Sequence, residues 1–488
     1  CQEIAKVAKQ FGVEVIIRPS ELAKDSTPTL PVLQHIVENI NETFDAVVTL
    51  QSTSPLRTAK HIDEAIELFK NDDKADSLVS VIEVPHSYMP EKIMDIKGKY
   101  LVGNSDISNK PLVPYSNIVC DFLAILSEKL MKHRDIGLYP DVMSFSFWCR
   151  KANLNILKKQ YNQIDQIRLG RGIAFHITPS NVPVNFAFSL CFGLIAGNTN
   201  IVRVSSKHMP QIELICSVIN NLLIQPRFIE INSRVIVIRY KRSDEVTSML
   251  SSLCDIRIIW GGDNTINSIR KFNISPRCVD LAFSDRYSIA IIDSNSISNI
   301  SSKELEKVAI NFYNDAYIMD QNACSSPHIL FWHGKITKKN KTRFWNAVYN
   351  VALVRYDLTN IKAIDKYNKI LNQSIDDDNI AHIVNLDNLV TYIELKHMEN
   401  NLCDYKGMFG LFYTYEITSL DVLATMINNK FQTLAHYGLS RTQLKELVLK
   451  NNITGIDRIV PLGRALDMSI IWDGYDVVSY LSRVIDIH

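Results

Sequence analysis

At 488 residues the chain is longer than one ordinary core supports, so two or three domains are expected. With 46% hydrophobic and 22% charged residues it reads as globular, and a net charge of +1 leaves no electrostatic footprint for a nucleic acid or an anionic membrane. Nine cysteines without CxxC spacing argue against a disulfide framework and a cysteine metal site, and fit a reducing cytoplasm.

In chain order, residues 2–10 have helical spacing, and β-branched runs at 13–17 and 46–50 read as strands. Residues 62–69 are amphipathic, and 77–83 read as a third buried strand. Apolar strands separated by helices predict a parallel α/β sheet. The polar stretch 97–110 is the expected linker. A helical region follows over 117–157, with Phe122, Leu123, Leu126, Leu130 and Met131 at helical spacing. From Gly172 the α/β rhythm returns, with buried strands expected at 235–238, 256–260 and 288–292. The longest near-apolar stretch, 186–197, is too short to span a bilayer and reads as a buried helix, so no integral membrane segment is expected. No signal peptide opens the chain, which starts at Cys1 rather than Met, so processing or an upstream start is expected.

Four segments carry chemistry. In MDQNACSSPH (319–328), small and polar residues surround Cys324 ahead of an apolar run. A thiolate is a strong nucleophile that forms thioesters readily, although a free cysteine also serves as a small buried hydrophobe. In FHITPSNVP (175–183), a strand ends in a Pro-punctuated turn bearing Asn181, whose amide can face a developing oxyanion or satisfy its own turn. AGNTNIVRVSSK (196–207) then leads through a strand to Arg203, Ser205 and Lys207, types that suit ribose and phosphate oxygens. Gly261 and Gly262 follow an apolar run, where they allow close approach of a dinucleotide or simply make a tight turn.

Taken in order, ITPSNVPVNF, LIAGNTNIVRVSSK, IIWGGDNTI, FSDRYSIAIID, MDQNACSSPH, KFQTLAHYGLS and GIDRIVPLGRALDMSIIWDGYD resemble the aldehyde dehydrogenase superfamily. Within it they resemble the acyl-reductase branch, the fatty acid reductases of bacterial bioluminescence systems (LuxC type). The resemblance covers about 116–488. It implies an α/β fold with dinucleotide-binding and catalytic lobes, and NADPH-dependent (rather than NADH-dependent) reduction of an acyl thioester to a fatty aldehyde. Cys324 matches the acyl-accepting thiol and Asn181 the side-chain half of the oxyanion hole. Arg203, Ser205, Lys207, Gly261 and Gly262 match cofactor contacts, and His436 is the candidate proton shuttle. The Glu-Leu-Gly-Gly motif of aldehyde-oxidising members is absent near Cys278; Asp280 is the residue there that would have to replace its base. Implied partners are acyl-CoA or an acylated synthetase, within a homo- or hetero-oligomer. Asp457, Arg458, Arg464, Asp467 and Asp473 read either as an acyl entrance or as an ion-pair network anchoring the tail.

The first hundred residues resemble a different family, the cytidylyltransferases that activate acidic sugars such as N-acetylneuraminate. IRPSELA (17–23), LQSTSPLR (50–57) and HIDEA (61–65) carry the resemblance, with Gln51, Ser54 and Arg57 as vestigial nucleotide contacts. Neither a triphosphate loop nor the sugar-binding half is seen, so this stretch is expected to be inactive. The alternative is a cytidylyltransferase with an accessory C-terminal domain. The expected divisions are 1–110 for the partial segment and linker, 111–168 for a helical part, 169–300 for the dinucleotide lobe, 301–425 for the thiol lobe and 426–488 for a C-terminal segment.

Overall fold

The computed structural model describes residues 2–23, 27, 29–50, 58–72, 99–104, 107, 110–161, 166–398 and 401–487. The chain divides into two units, residues 1–83 and 84–488.

In the first unit the described residues form helices α1 (Gln2–Gln10), α2 (Thr29–Glu38) and α3 (Ala59–Lys70), the last opened by a capping box between Thr58 and His61. The strands expected at 13–17 and 46–50 do not form: both runs are unpaired, and Val13, Ile17, Val47, Val48 and Leu50 are exposed. β-propensity expresses packing against cross-strand neighbours, and no strand is available to pair with among the described residues of this unit. The expected strand at 77–83, and Gln51, Ser54 and Arg57, lie outside the described residues.

The second unit is built on two sheets. The first comprises β1 (Lys99–Val102), β3 (Ile173–Ile177), β4 (Thr199–Val204), β5 (Val235–Arg239), β6 (Ile256–Trp260) and β7 (Val279–Phe283), in the order β1-β5-β4-β3-β6-β7. All neighbours are parallel except β1, which runs antiparallel to β5. The expected linker therefore contributes an edge strand. Strands buried on both faces read as continuous apolar runs, which is why 235–238 and 256–260 were legible. Helices α4 (Asn117–Met131), α5 (Pro140–Trp148), α6 (Lys151–Tyr161), α7 (Asn185–Ile195) and α8 (Pro210–Leu223) share one apolar cluster with this sheet. Every residue of α7 is buried, as its apolar run predicts.

The second sheet has seven strands in the order β10-β11-β12-β9-β8-β13-β14. These are β8 (Tyr287–Asp293), β9 (Pro327–His333), β10 (Ile380–Leu386), β11 (Val390–Leu395), β12 (Leu411–Ile417), β13 (Phe431–Tyr437) and β14 (Arg458–Pro461). Only β10 is antiparallel to its neighbour. This lobe begins at Tyr287, before residue 300, and takes β13 and β14 from the expected C-terminal segment. The rest of the tail returns to the first lobe: β17 (Ser482–Ile485) pairs with β2 (Ile167–Gly170), and Trp472, Val477, Val478 and Leu481 enter the first lobe's core. Among the described residues no single helix is long and apolar enough to cross a membrane.

Candidate active site

The first sheet changes direction between β3 and β6: the chain runs outward from β3 to β4 and β5, then restarts beside β3. Such a switch point opens a crevice at the carboxyl ends of the strands. Asn181 lies in the bend between β3 and α7, where it is exposed, and Gly261 and Gly262 follow the end of β6. Gly261 N–H donates to Phe283 O at 3.1 Å. Gly262 caps the N-terminus of helix α9 (Asp263–Arg270) with φ −67°, and a Cβ there would meet no atom within 4 Å. Nothing in the fold demands glycine at 262, so the open space suits a close-lying ligand.

The parallel ends of β4 and β5 gather cations. Arg203 lies half-buried with its guanidinium 5.4 Å from the Tyr240 ring. Ser205 is buried and its Oγ accepts Lys207 N–H at 3.2 Å, which turns the exposed Lys207 outward. Lys241 and Arg242 follow β5 and are exposed. The nearby carboxylate, Glu213, is engaged by Arg239 at 2.6 Å, while Arg239 Nη2 is buried without a partner. This donor set fits the phosphates of a dinucleotide, including a 2′-phosphate.

Behind the crevice runs a buried polar chain. Asn200 Nδ2 donates to Asn198 O at 2.9 Å, so its Oδ1 accepts from His176 Nε2 at 3.0 Å. His176 Nδ1 must then accept from Ser189 Oγ at 2.7 Å, and that oxygen in turn accepts Trp260 Nε1–H at 2.9 Å. Burial pushes His176 down to about 4, which keeps this tautomer neutral. The chain holds Trp260, stacked on Phe283 at 3.8 Å, directly before the Gly261–Gly262 bend. Sequence reasoning passed over it because its members are scattered over three strands and a helix.

Cys324 lies half-buried in the loop between helix α10 (Ser302–Ala316) and β9. Its approach is fixed by two consecutive left-handed residues, Asp320 (φ 53°) and Gln321 (φ 60°). Side-chain bonds hold that geometry: Asp320 accepts from Tyr356 Oη at 2.6 Å and Lys362 at 2.9 Å. Gln321 accepts Gly410 N–H at 3.0 Å and donates to Leu411 O at 2.9 Å. Ser288 on β8 donates to the Cys324 carbonyl at 2.5 Å and accepts Thr433 N–H at 3.1 Å. Residues that shape a nucleophile's loop from neighbouring strands leave no local sequence signal.

The thiol stands at the amino end of the second sheet, close to the crevice of the first. Only Ser284, Asp285 and Arg286 separate β7 from β8, so the two edges are at most ~14 Å apart there. Lys430, just before β13, also pairs with Asp263 at the start of α9. Burial pushes the Cys324 thiol up. The Arg286 backbone N–H opposes this, the carboxyls of Asp473 and Asp285 reinforce it, and Lys406 offsets it in part. Asp473 is itself buried, held by Gln432 in the left-handed turn between β15 (Ile471–Trp472) and β16 (Tyr475–Asp476), and burial pushes its carboxyl up.

Geometry bears on both His436 and Asp280. His436 pairs with Ile291, which is level with Phe331, four residues into β8 from its start at Tyr287. That puts it ~13 Å along the sheet from the edge bearing Cys324, and no proton can pass between them directly. Asp280 cannot serve as a base, because it is bound to the buried Arg257 at 3.0 Å and to Arg270 at 3.1 Å. The C-terminal charges are mostly structural. Asp457 pairs with Arg286 at 2.5 Å, while Arg458 lies 4.5 Å over the Trp472 ring and donates to the carbonyls of Ala465 and Asp467. Arg464 and Asp467 form an exposed pair.

Residues 152–484 match the family described as acyl-CoA reductase (LuxC). The chain belongs to this family. Residues 1–97 match the cytidylyltransferase family. A long-chain acyl-protein thioester reductase of Aliivibrio fischeri is 23% identical over 316 residues, 60% of this chain and 58% of that protein. An N-acylneuraminate cytidylyltransferase of Escherichia coli is 31% identical over 80 residues, 16% of this chain and 19% of that protein. The chain thus spans little more than half of one such relative and a fifth of the other. The fold is that of aldehyde dehydrogenases. A benzaldehyde dehydrogenase from Corynebacterium glutamicum aligns at TM-score 0.53 and 10% identity, covering 76% of this chain and 85% of that one. A Thermus thermophilus 1-pyrroline-5-carboxylate dehydrogenase aligns at 0.53 and 10% over 90% and 98%.

Proposed function

We propose that this LuxC-family chain reduces an acyl thioester, carried by coenzyme A or by a partner protein, to a fatty aldehyde through a thioacyl group on Cys324. The observation that carries the reading is the fixed loop of Cys324 at the edge of a sheet joined by a three-residue crossing to the sheet whose strand ends bear the dinucleotide-compatible groups.

Cys324 is protonated at rest, because burial holds its thiol above the ordinary range. The buried carboxyl of Asp473, the largest charge acting on that thiol, is the acceptor we assign to its proton. The sulfur attacks the carbonyl carbon, and the carrier thiol leaves with a proton returned from Asp473. The exposed amide of Asn181 and the Cys324 backbone N–H are the donors assigned to the oxyanion; loss of one such donor costs roughly 3 kcal/mol of barrier. A reduced nicotinamide, when bound, supplies the two electrons and hydrogen that convert the thioacyl carbon to the aldehyde level. The resulting oxyanion collapses by expelling the Cys324 sulfur as a thiolate, which takes one proton from solvent to regain its resting state, so no step is assigned to His436. The lack of a free carboxylate at 280 protects the thioacyl group from water. Arg203, Ser205 and Lys207 supply donors for a 2′-phosphate, which favours NADPH over NADH.

The test is acyl-CoA with NADPH, followed by nicotinamide absorbance and by mass spectrometry of the acylated peptide. Expected are aldehyde formation and an acyl adduct on Cys324, both lost in Cys324→Ala. An adduct confined to another cysteine overturns the reading. A second reading, CMP-sugar synthesis by residues 1–97, is favoured only by the sequence match, and production of CMP-sugar from CTP is its test.

A further inference from the structure

Helix α12 (Asn360–Asp376), which follows α11 (Lys338–Arg355), is amphipathic the wrong way round. Its exposed side carries Ile361, Ile364, Tyr367, Leu371 and Ile375, with exposures of 74%, 58%, 59%, 42% and 80%. At ~100° per residue these five fall within a ~120° arc. The opposite side, packed on the lobe, is largely polar. Lys362 pairs with Asp320, Lys366 is fully buried and donates to the carbonyls of Asn388 and Phe409, and Gln373 meets the Tyr413 hydroxyl. A surface helix ordinarily turns its apolar stripe to its own core. Here the lobe takes the lysines and leaves the isoleucines outside, so the stripe is not a by-product of folding this lobe.

We propose that this face is covered by the same face of a second copy of the chain, the two α12 helices lying antiparallel about a two-fold axis at Asn368. The area is what a second copy would supply. Five side chains at roughly 100 Å² each give ~500 Å² per copy, and two copies reach the ~1,000 Å² at which specific interfaces begin. The stripe is also centred on Asn368, midway between Ile361 and Ile375, as a self-complementary patch requires.

Sedimentation of the full chain at micromolar concentration should give an even-numbered assembly, and Ile364→Asp with Leu371→Asp should halve its mass while near-ultraviolet circular dichroism is retained. Independently, Asn368→Cys treated with a short bismaleimide should yield a cross-link between the two copies of residue 368, found by peptide mass spectrometry. A folded double variant of unchanged mass overturns the proposal, as does absence of the 368–368 link. A monomeric native chain in which Tyr367 resists chemical modification overturns it too, and gives the face to residues 1–83 of the same chain. If the double variant does not fold, the cross-link alone decides.

Discussion

Ser288 and Ser326 are both fully buried, the second two residues after the nucleophile, yet their hydroxyls do opposite things. Ser288 Oγ donates to the Cys324 carbonyl and accepts the Thr433 N–H, whereas Ser326 Oγ makes no hydrogen bond. Ser288→Ala deletes one oxygen and strands a buried acceptor and a buried donor, each costing about 1–3 kcal/mol, so about 2–6 kcal/mol in all. Ser326→Ala deletes the same atom and strands nothing; relieved of an unmet hydroxyl, the protein should gain up to about 1 kcal/mol. Urea unfolding reads both. Iodoacetamide labelling of Cys324 under native conditions, followed by peptide mapping, reads the loop itself. Ser288→Ala should unfold at lower urea and label faster, and Ser326→Ala should match or exceed the native midpoint with unchanged labelling. Equal midpoint shifts in the two variants would refute the idea that the Ser288 bonds fix this loop.

Other substitutions probe the electrostatics. Asp280→Ala leaves Arg257 buried and unpaired, so stability should fall by roughly 3–5 kcal/mol in thermal unfolding while Cys324 labelling of the folded fraction is unchanged. Asp315 accepts N–H bonds from Gly463 and Ala465, but burial prevails and pushes it up to about 7. Since the unfolded carboxyl titrates near about 4, the folded state binds the extra proton between those values, and stability should decline as pH rises from about 4 to 7. Asp315→Asn should flatten that decline in unfolding midpoints measured against pH. His176 and His328 are held neutral by burial, down to about 4 and about 3, so each withdraws stability as pH falls below about 6.5. His176→Gln should weaken the acid limb of the same curve by at most about 3 kcal/mol. Arg203→Gln should cut kcat/KM with NADPH by about tenfold or more and with NADH by less, if charge-assisted bonds of about 1.5–3 kcal/mol reach a 2′-phosphate.

Much of the fold was legible because its central strands are buried on both faces: β5, β6 and β8 were each anticipated as apolar runs to within a residue or two. β1 was not, because an edge strand with Lys99 exposed and Asn104 just beyond reads as polar linker. The runs at 13–17 and 46–50 show the converse, in that β-branched residues without paired neighbours make no strand. At the candidate site, local motifs singled out Cys324, Asn181 and the glycine bend as candidates. The residues that hold them were hidden, because Ser288, Gln432, Asp473 and Arg286 act from elements up to 171 positions away from their partners. His436 is a related case: its motif is close to the site in sequence order, but the register of β13 carries it to the far end of the sheet.

The three-residue crossing between the sheets has a mechanical consequence. Arg286 is bolted to the second lobe through the Phe431 carbonyl at 2.6 Å and Asp457 at 2.5 Å. Its own amide reaches the Cys324 sulfur. At this crossing a swing of one lobe against the other is therefore taken up at Ser284 and Asp285, upstream of that anchor. The sulfur rides with the lobe that carries it, and such a swing changes how near the other lobe's cargo is brought, together with the contact to Asp473, whose tail packs on that other lobe.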